Sequence, residues 1–211
     1  MRLIEISKAL TALDRNGICE AQQLGAADNL TINGVYATSG VATLETQRIV
    51  GIYSAGNLSA ITFTVYGTNS NGITISEAIA GPNNSTVSTT QNFLTVTRVA
   101  ASAAVASDVE VGTTGVGATA PIVLDQYISP FNVALGAVVT GTVNFTVQYT
   151  NGNVFPSNTA DLNNLVWIDT ISAGAVNAVG TLVSPVAAVR LLINSGQGTV
   201  SMTVRQAGAR G

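Results

Sequence analysis

The chain has 211 residues, of which 8 are Lys or Arg and 11 are Asp or Glu, with no histidine, one cysteine and a formal net charge of -3. Charged residues make up 9% of it, against about 25% in an ordinary soluble domain. The missing histidine excludes a Ser-His-Asp triad, a Cys-His dyad and His-ligated zinc or haem, the single Cys19 excludes an intrachain disulfide, and the few cations leave no basic footprint for nucleic acid.

Charge is unevenly spread. Residues 1–48 hold nine of the nineteen charges, and none falls between Gln126 and Ala160. Residues 1–34 are therefore read as an N-terminal arm, chemically distinct from the body. Its apolar positions Leu3, Ile4, Ile6, Leu10 and Leu13 fit a short amphipathic helix and an extended segment equally well. Gly17 and Gly25 stop any helix there. Glu5 and Lys8 interrupt the apolar run, so MRLIEISKALTAL is not read as a signal peptide. Cys19 is expected to be a small buried hydrophobe.

After the arm the period changes to two. Thr62-Phe63-Thr64-Val65-Tyr66 and Ile73-Thr74-Ile75-Ser76-Glu77 alternate around an Asn71-Gly72 turn, the pattern of a β-hairpin. Gly81-Pro82-Asn83-Asn84 is a second turn. Phe93–Val99 and Val105–Val111 read as a further pair of strands. Gly112–Pro121, rich in Gly and Thr and uncharged, is expected to be a linker. The longest apolar run, Phe131–Val139, is far shorter than the roughly 20 residues a membrane-spanning helix needs.

The second half repeats the first. Phe63–Asn71 and Phe145–Asn153 are identical at six of nine positions at an offset of 82. Arg98 and Arg190 follow in matching places, each before a turn and a Val-rich strand. The expected fold is all-β: two tandem related β-sandwich units of jelly-roll or Ig-like type behind the arm, spanning 35–115 and 121–211.

Few residues carry chemistry. Asp108 and Glu110 sit at i and i+2 on one strand face, where charge discourages edge pairing. Asp125 stands alone, and Asp161 is grouped with Asp169. Asp161 with Asn158, Asn163 and Asn164 offers some oxygens for calcium but lacks an Asp-rich loop motif. Gly112-x-x-Gly115-x-Gly117 lacks the Lys-Ser/Thr ending of a phosphate loop. Arg98 and Arg190 are read as outward residues packing their stems over the sheet, with a partner-facing ion pair as the other reading. Phe131, Phe145, Tyr149 and Phe155 are assigned to the second core, and Trp167 is taken as a contact anchor. No catalytic residue, metal ligand or cofactor is expected.

Three runs carry a resemblance: "AGNLSAITFTVYGTNSNGITISEAIAGPNNSTVSTTQNFLTVTRVAAS", "APIVLDQYISPFNVALGAVVTGTVNFTVQYTNGNVF" continuing to "WID", and "VAAVRLLINSGQGTVSMTVRQAG". Together, over roughly residues 45–208, they resemble virion structural proteins of tailed bacteriophages. The resemblance implies a head-decoration (cement) module or a tail-associated β-module. It implies a non-enzymatic role in the virion after synthesis in the bacterial cytoplasm, beside the major capsid protein or other virion proteins and without membrane or nucleic acid. A trimer is expected, with Leu3, Ile4, Ile6, Leu10, Leu13 and Trp167 as interface residues. A receptor- or glycan-binding module is the rival from another class. On this reading, deleting residues 1–30 abolishes occupancy on phage heads in a co-sedimentation assay, and full retention rejects the arm as the attachment.

Overall fold

The computed structural model describes residues 2–9, 11–154 and 165–210. Among these there is no helix. The strands, in chain order, are β1 (Arg2–Ala9), β2 (Cys19–Leu24), β3 (Ala37–Thr38), β4 (Val41–Asn57), β5 (Thr62–Thr68), β6 (Thr74–Ala80), β7 (Asn83–Ala101) and β8 (Val105–Ala118). They continue as β9 (Ile122–Val123), β10 (Ile128–Thr140), β11 (Val143–Thr150), β12 (Ile168–Gly174), β13 (Ala178–Leu182), β14 (Ala188–Gly196) and β15 (Thr199–Arg210). The chain divides into two compact units: an inserted unit, Leu13–Gly117, and a host unit made of Met1–Ala12 and Ala118–Gly211.

The inserted unit is built on the antiparallel path β8-β4-β7-β5-β6, with β2 beside β8 and β3 beside β4. Alternation along β5 turns Phe63 and Val65 into the core, where both are fully buried with Val50, Ile52, Phe93 and Val99. The expected hairpin of β5 and β6 is present, pairing Thr62 with Ala80 through Thr68 with Thr74. Its turn is closed by Gly72 at φ +75° and by the Asn69 side chain, which accepts from the amides of Asn71 and Ile73. Glycine adopts that left-handed conformation without steric penalty.

The host unit has one sheet in the order β1-β15-β10-β13 and strands β12-β11-β14 with β9 beside β14. Phe131, Val133 and Leu135 of β10, Val200, Met202 and Val204 of β15, Phe145 and Val147 of β11, and Leu191 and Ile193 of β14 share one buried cluster. At the open end of its inner face, Gln206 is buried and bonds both ways with the Asp125 backbone, accepting at 3.0 Å and donating at 2.8 Å. Those two bonds satisfy a side-chain amide that has left water.

The expected arm of residues 1–34 is divided between the two units. Residues 2–9 are a strand, paired along its length with β15 from Arg2–Gln206 to Ala9–Thr199. Ile4 and Ile6 lie opposite Val204 and Met202 and pack against the host core. Period two therefore prevails over the helical spacing, because a strand offers both the backbone edge and the apolar row that β15 needs. Leu10 lies outside the described residues. Residues 13–34 belong to the inserted unit, where Ile18, Cys19 and Leu30 are buried in its core. A deletion of 1–30 thus removes an edge strand and three core residues together, and does not isolate an attachment segment.

The expected linker also differs. Residues 112–118 are part of β8. Thr113 donates its amide to the Asp14 carbonyl at 2.7 Å, and its hydroxyl accepts from the Asp14 amide at 3.1 Å. A Cβ on Gly112 would stand 1.8 Å from the Asp14 carbonyl oxygen. The glycine here serves close backbone approach rather than flexibility. The two units nevertheless meet in the sequence at Gly117 and Ala118, inside the stretch expected to separate them.

Arg48 is the largest fully buried side chain in the inserted unit. It donates from Nη1 to Glu45 Oε1 at 2.7 Å and from Nη2 to the Thr114 carbonyl, tying β4 to β8. Arg48→Ala leaves a cavity and an unpaired carbonyl, and is expected to cost about 3 kcal/mol of unfolding free energy. Arg48→Met refills the volume and is expected to cost less. Urea unfolding of both variants measures the difference, and equal loss in the two would show that the lost hydrogen bonds, not packing, are at stake.

Candidate functional site

The outer face of the host sheet β1-β15-β10-β13 exposes several large apolar side chains. Pairing register sets its rows. Leu3, Arg205, Ala134 and Thr181 form one row; Glu5, Thr203, Gly136 and Val179 form the next; Ser7, Ser201 and Val138 form a third. Leu3 and Val138 are each 53% exposed and Val179 is 87% exposed. Glu5 and Arg205 are the only charged side chains in these rows. Ser7 and Ser201 hydrogen-bond across the strands at 2.9 Å. The alternation that sends Ile4, Ile6, Val204 and Leu135 inward leaves this face carrying small polar residues and three large apolar ones.

A second feature recurs three times. Arg15 stacks over the Tyr53 ring at 3.8 Å, Arg98 over Tyr66 at 3.7 Å and Arg190 over Trp167 at 4.1 Å. The last two occupy equivalent registers. Phe63, Val65 and Tyr66 of β5 pair with Ala101, Val99 and Arg98 of β7. Phe145, Val147 and Gln148 of β11 pair with Ile193, Leu191 and Arg190 of β14. The residues matched in sequence thus sit on middle strands with the same partner register, β5 between β6 and β7 and β11 between β12 and β14. Guanidinium groups over ring faces are held by the ring quadrupole and shed little hydration.

Around Arg190 the contacts form a row. Its Nε donates to Gln148 Oε1 at 2.9 Å, and Gln148 Nε2 donates to Asp169 Oδ1 at 2.8 Å. Burial pushes the Arg190 guanidinium down to about 10, with the Asp169 carboxylate opposing the shift, so it stays a cation at neutral pH. Trp167 is half-buried beneath it. Arg98 is exposed and Arg190 is partly buried, and each guanidinium lies over an aromatic ring.

The other sequence-singled residues are scattered. Glu110 stands 4.0 Å from Arg15 in a surface ion pair, and Asp108 accepts from Gln23 at 2.8 Å. Asp125 accepts from the Tyr127 amide in a turn. Asp161, Asn158, Asn163, Asn164 and Phe155 lie outside the described residues. Cys19 is buried, and burial pushes its thiol up to about 12, so it stays protonated at neutral pH. Leu13 lines an open groove of about 300 Å³ with Arg15, Tyr53, Thr86 and Thr114. Among the described residues no three His, Cys, Asp or Glu side chains converge to hold a metal. The outer-face pattern and the Tyr53 and Tyr66 platforms escaped sequence reading, because register decides which outward residues become neighbours.

No protein family and no curated protein matches the chain. Among solved structures, allantoicase from Saccharomyces cerevisiae aligns over 93% of this chain and 89% of its own, at 10% identity and a TM-score of 0.23. The PBSX exported protein XepA aligns over 96% and 86%, at 9% identity and a TM-score of 0.23. The glycosylasparaginase PNGase F from Flavobacterium meningosepticum aligns over 99% and 97%, at 7% identity and a TM-score of 0.22. At such scores these likenesses carry no argument about activity.

Trp167 is the single tryptophan, so the emission reports the environment of this ring, which Arg190 covers. Arg190→Ala uncovers the ring, and its fluorescence maximum is expected to move to longer wavelength. An unchanged maximum would show that the guanidinium does not shield the indole in solution.

Proposed function

We propose that the chain is a non-enzymatic structural component of a bacteriophage particle, and within that class a capsid decoration protein that stabilises the head lattice. Beside the resemblance of its strand-and-turn runs, one observation supports this reading. The outer face of β1-β15-β10-β13 exposes Leu3, Val138 and Val179 and carries, in the rows described, only Glu5 and Arg205 as charges. A face of this kind loses little charge hydration on contact and suits a broad interface made of many modest contacts. An icosahedral lattice multiplies such contacts by avidity. The partners on this reading are the major capsid protein or another virion protein, together with further copies of the chain. On this reading Leu3, exposed on the outer face, belongs to the contact surface, and Ile4 and Ile6, packed on the core, support it from behind.

The reading is tested by counting copies in purified particles with quantitative mass spectrometry against the major capsid protein. A ratio on the scale of the capsid lattice is expected. A ratio on the scale of one tail ring moves the protein to a tail-associated module, and absence from the particle overturns the proposal.

A further inference from the structure

The charges on the outer face of β1-β15-β10-β13 stand in a particular relation. Glu5 is one row along and one strand across from Arg205. Neighbouring strands lie about 4.8 Å apart, and same-face residues follow every 6.6 Å or so along a strand. On that lattice a single two-fold axis, lying in the plane of the face and bisecting the line from Glu5 to Arg205, carries each Glu5 onto Arg205 of a second copy. The same axis runs diagonally across the strands and passes over Gly136. It carries Val138 onto Val179 of the second copy, and it returns Leu3 to within about 3 Å of its own image.

From this we infer that the face is a self-docking surface, and that two copies of the chain pair through it as an isologous dimer. The inference rests on the reading of the protein as an assembly component and names its first partner. Charge meets opposite charge, the two exposed valines meet each other, and leucine meets leucine. Gly136 lies under the axis, where the two sheets approach most closely, and nothing stands within 4 Å of the position its Cβ would take. Strands of the two copies cross at about 110°, close to the orthogonal arrangement, one of the two arrangements that packed sheets favour. The four strands outline about 500 Å² per copy, so the pair covers about 1,000 Å², the lower bound for a specific interface. A face meets its own copy only across a two-fold, so this pairing replaces the expected trimer as the first step of assembly.

The test is sedimentation velocity of the full chain and four variants, each checked by circular dichroism for an unaltered β spectrum. The wild type is expected to sediment as a dimer. Glu5→Arg and Arg205→Glu each place like charges opposite one another and are expected to sediment as monomers, as is Val179→Lys. The double variant Glu5→Arg/Arg205→Glu restores opposite charges and is expected to recover the dimer, which a misfolded single variant could not do. A monomeric or trimeric wild type, single variants that remain dimeric, or a double variant that stays monomeric overturns the inference. Particle composition is measured separately. Copies in the virion without a solution dimer reject only the two-fold, and a dimer missing from particles rejects only the virion reading.

Discussion

The first strand of the chain is held by the last. Pairing of Arg2–Ala9 with Thr199–Gln206 joins segments almost the whole sequence apart. Closing so long a loop carries an entropic cost that grows only logarithmically with length, and the paired backbone and buried side chains offset it. Ile4 and Ile6 extend the inner row begun by Val204 and Met202, and so cover one side of the host core. The same pairing brings Leu3 and Glu5 to the outer face beside Arg205. Core, sheet edge and outer face therefore depend on one set of strand contacts, and β15 without β1 would present an open edge and a half-covered row.

Scarcity of charge shapes what remains. Three of the eight basic residues lie over aromatic rings, and a fourth, Arg48, is buried between β4 and β8. Arginine suits both positions because its guanidinium is planar, weakly hydrated and rich in donors, whereas a lysine ammonium resists losing water. Arg15, Arg98 and Arg190 thus serve to cover rings as well as to carry charge. A surface so poor in free charge offers little resistance to lying against another protein, which is the property an assembly component needs. Threonine, serine and asparagine do the remaining work of solubility, and several of them, such as Thr68 with Thr95 and Asn194 with Asn144, are paired across strands.

Much of the fold was legible in the residues. Alternation at Phe63, Val65 and Ile75 marks the β5–β6 hairpin, and Asn71-Gly72 marks its turn, because both signals arise from contacts within a few residues. The repeat of Phe63–Asn71 at Phe145–Asn153 pointed to the two middle strands that share a partner register. The linker was misread because a glycine that admits a neighbouring backbone, as Gly112 does for Asp14, looks in sequence like one that supplies flexibility. The first strand was misread as part of an arm because its apolar spacing fits two periods, and only a distant partner selects between them.

By itself, then, the sequence determined the all-β class, the hairpin and its turn, the absence of histidine chemistry and of a disulfide, and the weak charge of the surface. Composition and short-range alternation are enough for these, since they depend on side-chain type and on neighbours along the chain. Tertiary structure decided the rest: that residues 2–9 close the host sheet, that residues 13–34 fill the inserted core, and that Glu5, Arg205, Val138 and Val179 share one face. Those outcomes depend on strand register between segments far apart, and register is set by which buried rows fit together in space.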